Sequence, residues 1–227
     1  MVTQLPIQDS VAADAAALYM KDLSQLALRL DSKAAGRTVQ EVAGAILADR
    51  TVFVAGNGGS ASTASHVACD LIGTSRAVGH PRARVVGLAD NVAVLTALSN
   101  DVSYEEAFAQ QLQLQASAQD LLLILSVSGE SPNLVQAAST ARTLGMRVIA
   151  WVGVAGSTVE KYCDACISVG SDDYGLAEDL HLALNHVVSR VLSGGNARRY
   201  CPDASPAVPW ARPALSPPSE MKAGPVR

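Results

Sequence analysis

The sequence predicts an α/β protein with a doubly wound, five-stranded parallel sheet flanked by helices. Two observations support this fold class. Short, continuous apolar runs, typical of strands buried on both faces, recur along the chain, and amphipathic helical stretches separate most of them. Strands that alternate with helices form parallel sheets covered on both sides. The predicted strands are residues 51–55, 84–88, 121–125, 147–152 and 166–169.

Helical spacing of apolar residues defines the remaining elements. A long amphipathic helix is predicted over residues 9–30, with Asp9 or Ser10 as its N-cap, followed by a second helix over 39–48. Seven of the ten prolines lie beyond residue 200. We therefore expect one domain over 1–195 and a disordered, proline-rich tail over 196–227. The other predicted helices are 60–73, 91–99, 103–118, 131–144 and 176–193.

Composition excludes several classes of protein. The chain has 17 basic and 21 acidic residues, a net charge of −4 and no basic run, so we expect neither a nucleic-acid partner nor an anionic membrane surface. No segment approaches the roughly 20 apolar residues that span a bilayer. Four scattered cysteines are too few for a disulfide scaffold and indicate a reducing compartment. We therefore expect a soluble, cytoplasmic protein that binds anions locally.

A serine-rich loop, Ser126-Val-Ser-Gly-Glu-Ser131, follows the third predicted strand. The hydroxyls of Ser126, Ser128 and Ser131 lie where the strand turns into a helix, whose N-terminus offers unpaired N–H groups to an anion. This arrangement suits a phosphomonoester and needs no basic residue. The same residues are also compatible with a simple turn in which Ser131 is the helix N-cap.

A glycine turn, Gly56-Asn-Gly-Gly-Ser60, follows the first predicted strand. It lacks the third glycine of a dinucleotide fingerprint and the lysine of a P-loop, so we expect no nucleotide cofactor. Gly58 and Gly59 let the backbone approach a ligand, while Asn57 and Ser60 supply polar contacts. The turn therefore predicts a second binding element at the same edge of the sheet.

Together with Ser-Asn-Asp101, these two motifs resemble the sugar isomerase (SIS) domain, specifically the phosphoheptose isomerase family, over residues 8–194. The resemblance implies a homotetramer in which the long N-terminal helices pack together, with active sites at subunit interfaces. It also implies isomerisation of a sugar phosphate, D-sedoheptulose 7-phosphate, to D-glycero-D-manno-heptose 7-phosphate. On matching positions it implies phosphate ligands at Ser126, Ser128 and Ser131 and substrate contacts at Asn57, Ser60 and Asp101.

The resemblance further implies a zinc site, because some members of the family bind zinc through four side chains on two helices. The matching positions here are His66, Asp70, Glu178 and His186. Asp70 replaces the family's usual Glu and Glu178 its usual Gln. In the serine loop, Val127 stands where the family usually has Thr.

Isomerisation through an enediol needs a base that shuttles a proton between two carbons and an acid that serves the oxygens. We assign His186 as the acid, and the base is Asp70 or Glu178. The alternative is that His66 and His186 are hydrogen-bonded core residues on helices. Each, however, has a carboxylate at helical spacing, which favours a site.

Three other functions remain open at this point. The substrate can be another long-chain sugar phosphate, such as an octulose 8-phosphate. The chain also resembles, at Asn91-Val-Ala-Val-Leu-Thr-Ala97, SIS adaptors that bind the bacterial replication initiator. A regulator that only senses a sugar phosphate is the third possibility. Retention of His186 with Glu178 favours the enzyme.

Overall fold

A computed structural model describes residues 9–80 and 82–194. Two helices precede the sheet, α1 (Asp9–Arg29) and α2 (Ser32–Leu47). The prediction that the second helix begins at residue 39 was wrong. The Asp31 carboxylate accepts the backbone N–H groups of Lys33 and Ala34 at 2.9 and 3.0 Å and so starts the helix a full two turns earlier. The apolar spacing alone does not reveal this start, because the first turns carry small residues.

The remaining elements alternate as predicted, and all five strands are parallel. Their order in the sheet is β2-β1-β3-β4-β5, which confirms the doubly wound α/β prediction. The strands are β1 (Thr51–Ala55), β2 (Arg84–Gly87), β3 (Leu121–Ser126), β4 (Arg147–Val152) and β5 (Ala165–Ser168). The helices are α3 (Gly59–Ala77), α4 (Val92–Asp101), α5 (Ala107–Gln115), α6 (Pro132–Thr143) and α7 (Tyr174–Leu192), with a 3₁₀ turn at Val159–Tyr162.

Each strand is apolar throughout because both faces of the sheet are covered. In β1, Val52 contributes to a core that α2, α3 and α7 complete on one face, with Val42 and Leu184 among its members. The next residue, Phe53, contributes to the core on the opposite face, where Phe108 of α5 is fully buried. Alternate side chains therefore enter different cores, which produces continuous apolar runs in the sequence.

The sheet topology determines where a ligand can bind. The chain leaves β1 toward α3 on one face and leaves β3 toward α6 on the other, although β1 and β3 are neighbours. At such a switch point a crevice opens beyond the carboxyl ends of the two strands. The glycine turn follows β1 and the serine loop follows β3, so both predicted binding elements border this crevice.

The proline-rich tail and the possibility of a membrane-spanning helix were both considered from the sequence. The predicted tail over 196–227 lies outside the described residues. Among the helices that the structure describes, none has both the length and the apolar character needed to cross a bilayer.

Candidate active site

The glycine turn and the serine loop enclose one cavity of about 360 Å³. Every predicted binding residue of the two motifs contributes to its wall, and helix α7 closes the side. No lysine or arginine is among the described residues that line it. The lining residues are Asn57, Gly58, Gly59, Ser60, Leu125, Ser126, Val127, Ser128, Ser131, Leu134, Tyr174 and Glu178.

Hydrogen bonds within the serine loop stabilise its conformation. The Ser126 hydroxyl accepts the N–H of Gly129 at 2.9 Å, and the Ser128 hydroxyl accepts the next N–H at 3.2 Å. Gly129 has a φ of 65°, and a Cβ there would lie 2.3 Å from the Ser157 hydroxyl, so only glycine fits. Ser131 occupies the N-cap position of α6, but its side chain makes no capping bond. Its hydroxyl therefore lines the cavity without serving the helix.

The glycine turn brings a carboxylate against the first turn of α3. Gly58 has a φ of 55°, which favours glycine. At Gly59 a Cβ would lie 2.2 Å from a carboxylate oxygen of Glu178, so the missing side chain makes room for this group. The Ser60 hydroxyl lies 3.5 Å from the same carboxylate. Glu178 therefore belongs to the wall that the glycine turn forms.

Further along the same two helices, two imidazoles meet one carboxylate. Asp70 Oδ2 lies 3.2 Å from His66 Nε2 and 3.6 Å from His186 Nε2. The two imidazole rings meet edge to face, with centroids 5.7 Å apart. Asn185, which is fully buried, donates to the same carboxylate oxygen at 2.9 Å. Since Asn185 is fixed in the core, this bond sets the position of the Asp70 carboxylate.

The cluster of His66, Asp70 and His186 has the chemistry of a metal site. One donor atom from each residue lies within 4.8 Å of the other two. Two imidazoles and a carboxylate leave a fourth position open in a tetrahedral zinc site. The residues present therefore fit zinc. Glu178 is not part of this cluster; it precedes His186 by eight residues, about 12 Å of helical rise, and its role as a fourth ligand stays a prediction.

One predicted position, Asp101, and one further histidine, His181, lie apart from the cavity. Asp101 is exposed at the last residue of α4, where it accepts a hydrogen bond from its neighbour Asn100. Its contact with substrate stays a prediction. His181, a second histidine on α7, is fully buried, and burial lowers its pKa to about 4. It is therefore neutral at physiological pH.

Sequence reasoning missed three residues around the cavity. Tyr174 lines the wall from the first position of α7. Asn133 and Tyr104 hydrogen-bond the side chain of Asn57 from α6 and from the segment before α5. Of these three, only Asn133 had a signal in the sequence: it follows the predicted phosphate ligand Ser131 by two residues and so lies near the predicted site. Its bond to Asn57 joins two loops far apart in the sequence.

The sheet order, with the serine loop and the glycine turn at its switch point, defines a doubly wound α/β domain with a polar ligand crevice, and the comparisons identify its family. The SIS domain family model matches residues 19–153. A phosphoheptose isomerase from Bradyrhizobium sp. is 32% identical over 158 residues, which cover 70% of this chain and 79% of the relative. One from Burkholderia pseudomallei is 36% identical over 155 residues, covering 66% and 78%.

A solved structure of a phosphoheptose isomerase from Francisella tularensis superposes with a TM-score of 0.74 at 24% identity, covering 80% of this chain and 98% of that chain. A second, from Neisseria gonorrhoeae, gives 0.72 at 24% identity with the same coverage. At this identity the structures bear on the fold. With the family model and the sequence relatives, the chain belongs to the phosphoheptose isomerase family of SIS domain proteins.

Proposed function

We propose that the protein is an aldose–ketose isomerase that converts D-sedoheptulose 7-phosphate to D-glycero-D-manno-heptose 7-phosphate. One observation carries the proposal. Helices α3 and α7 border the hydroxyl-lined cavity with Ser60 and Glu178, and further along they carry the cluster of His66, Asp70 and His186. The protein, a member of the phosphoheptose isomerase family, thus has a cavity that suits a phosphate group. The two helices that border this cavity also carry the acid and base side chains.

The serine loop accounts for binding of the phosphate. Ser128 and Ser131 line the cavity at the N-terminus of α6, where a helix offers N–H groups and the positive end of its dipole. Hydroxyls and backbone amides can meet all phosphate oxygens there without a cationic side chain. Binding at this end leaves the carbonyl end of the sugar to reach the α3 and α7 side of the cavity.

The reaction moves a carbonyl from C2 to C1. The base removes a proton from C1 of the ketose while the acid protonates the C2 oxygen, which gives an enediol. The proton is then returned to C2, the C1 hydroxyl loses its proton, and the aldehyde forms at C1. We assign the acid to His186, whose imidazole is about half exposed and can exchange protons with solvent.

Two carboxylates can serve as the base, and their surroundings differ. Glu178 lines the cavity beside Ser60, whereas Asp70 lies between the two imidazoles and accepts a bond from Asn185. Replacing each carboxylate by its amide separates the two assignments. The variant that loses proton exchange at C1 with deuterated solvent, while still binding substrate, identifies the base.

Zinc is part of the proposal. His66, Asp70 and His186 would hold the ion, and the Glu178 carboxylate would have to leave its place beside Gly59 to join them. A ligating nitrogen of His186 has no proton to donate, so in the zinc-bound form His186 would be replaced by the ion as the acid at the carbonyl oxygen. When bound, a divalent ion supplies Lewis-acid polarisation of the substrate carbonyl. Metal analysis of purified protein, compared with the His66→Ala variant, tests whether this cluster retains zinc.

We further propose a cytoplasmic homotetramer in which α1 contacts other copies of the chain. The helix presents large apolar side chains to solvent in the single chain: Val11 is 57% exposed, Met20 64% and Leu28 85%. Exposed apolar groups in such number on one helix favour burial by a partner. Light scattering on the wild type and on a Leu28→Glu variant tests the assembly.

The direct test is incubation of the purified protein with sedoheptulose 7-phosphate, with and without zinc, while the aldose is followed. Turnover supports the proposal. Binding without turnover would contradict it and favour a sensor or adaptor. Turnover of an eight-carbon ketose phosphate in preference to the seven-carbon one would keep the reaction type and replace the substrate.

A further inference from the structure

A reciprocal pair of side-chain amides lies behind the cavity wall. Asn57 Nδ2 donates to Asn133 Oδ1 at 2.9 Å, and Asn133 Nδ2 donates to Asn57 Oδ1 at the same distance. The Tyr104 hydroxyl donates to the same Asn57 oxygen at 2.8 Å. Asn57 therefore has two neighbours that fix the orientation of its amide plane.

The two asparagines have different access to a ligand. Asn57 lines the cavity, whereas Asn133 is only 2% exposed and does not contribute to the wall. A primary amide has two N–H groups and two acceptor lone pairs. In this network both lone pairs of Asn57 Oδ1 are used, and one N–H is paired with Asn133. What remains for a ligand is the second N–H.

We propose that Asn133 is a positioning residue, which presents Asn57 to the bound sugar phosphate as a hydrogen-bond donor. This inference rests on the proposed function, because it concerns the substrate of the same site. It assigns Asn57 a partner of defined chemistry, an acceptor oxygen of the substrate. A freely rotating Asn57 amide would present its carbonyl oxygen equally well and would lose this selectivity.

The location of Asn133 gives the pair a second role. Asn133 lies in the first turn of α6, directly after the serine loop, and Asn57 lies in the turn after β1. The amide pair thus joins the two loops across the switch point of the sheet. The first turn of α6 then determines both the position of the hydroxyls that would bind phosphate and the orientation of the Asn57 donor.

A double-mutant cycle with Asn57→Ala and Asn133→Leu tests the proposal on the full chain. Asn133→Leu alone should raise KM for sedoheptulose 7-phosphate about tenfold, with a smaller change in kcat. Tenfold corresponds to about 1.4 kcal/mol, which lies within the range of interaction energies between side chains of one network. In the Asn57→Ala background the same change should alter KM less than about twofold. Thr140→Val, a buried substitution two turns further along α6, serves as the control and should leave KM unchanged.

Equal losses from Asn133→Leu in both backgrounds would overturn the inference, because Asn133 would then act independently of Asn57. If Asn133→Leu does not fold, Asn133→Asp replaces it: the carboxylate still accepts from Asn57 but repels its carbonyl oxygen, so KM should rise in the wild-type background only. Dissociation constants measured by calorimetry with sedoheptulose 7-phosphate separate the two proposals. Coupled constants without turnover contradict the isomerase alone, whereas turnover with additive effects contradicts the positioning role alone.

Discussion

The serine loop and the His66–Asp70–His186 cluster differ in how the chain builds them. The loop consists of six consecutive residues, forms where one strand turns into one helix, and lines the cavity with neutral hydroxyls, while its one carboxylate, Glu130, accepts hydrogen bonds from Thr158. The cluster brings together imidazole and carboxylate side chains from α3 and α7, which are far apart in the sequence. A local element of hydroxyls suits binding, and a non-local element of acid and base side chains suits chemistry. Substitutions in the two should therefore change different kinetic constants.

The largest effect is expected from His186→Ala. Loss of a general acid should lower kcat about 10³-fold while KM changes little. Circular dichroism should show an intact fold, since the side chain is about half exposed. His80→Ala is the matched control, because His80 lies in a loop after α3, where its ring hydrogen-bonds the nearby Arg82 carbonyl oxygen. Turnover that survives in His186→Ala would remove this residue from the chemistry.

A second histidine on α7 should control stability and leave chemistry unaffected. His181 has a pKa of about 4 in the folded protein because burial disfavours its charged form, against 6.5 when unfolded. Between these values the unfolded chain binds a proton that the folded chain does not. The stability that neutral His181 contributes to the folded protein is therefore fully present above about pH 6.5 and is lost as the pH falls toward 4. The free energy of unfolding should fall by about 3 kcal/mol over this range.

Urea denaturation of the wild type and of His181→Leu across pH 4 to 7 measures this contribution. The slope of the free energy of unfolding against pH should be smaller in the variant, whatever its absolute stability. Identical slopes would mean that folding does not lower the pKa of His181 and would contradict the prediction. Carboxylates whose pKa the fold lowers, such as Asp164, contribute to both slopes and cancel in the difference.

Ser128→Ala probes the binding element. Its hydroxyl lines the cavity, so loss of a hydrogen bond to a charged phosphate oxygen should raise KM about 10- to 100-fold. The effect on kcat should be small. Ser139→Ala, on the far half of α6, is the control. A fall in kcat with unchanged KM would show that Ser128 acts in the chemical step, and would contradict the division between a binding loop and a catalytic cluster.

Gly59→Ala should give the smallest effect, about tenfold in kcat/KM, since a misplaced catalytic group costs up to 10²-fold. The added Cβ would force the Glu178 carboxylate away from α3. Gly73→Ala on the same helix meets no atom within 4 Å and should instead stabilise the protein by about 0.5–1 kcal/mol. Unchanged kinetics in Gly59→Ala would show that the position of Glu178 is unimportant to the reaction.

The sheet and the binding loops could be predicted from the sequence because their signals are local. A strand such as Leu121–Ser126 is buried on both faces and therefore reads as an unbroken apolar run. The glycine turn and the serine loop each lie within one short segment. Spacing also placed His66 and Asp70 on one face of α3, where they are found.

What could not be predicted depends on contacts between distant segments. The place of the Glu178 carboxylate beside the glycine turn depends on the missing side chain of Gly59, which belongs to a different helix and gives no signal near residue 178. The bond from Asn133 to Asn57 leaves no periodic pattern in either segment. The start of α2 was missed because a single capping carboxylate, Asp31, determines it. Such features follow from the assembled fold rather than from local propensity.

The absence of lysine and arginine among the described residues that line the cavity has a consequence for ligand capture. The chain has a net charge of −4, and its described cavity lining carries the Glu178 carboxylate and no cationic side chain, so no attractive field draws a dianion toward the site. Association should therefore proceed by unassisted diffusion, and added salt should not slow it by screening. The enzyme would then capture its substrate at a rate that added salt does not lower, and it would select phosphate esters by the geometry of their oxygens.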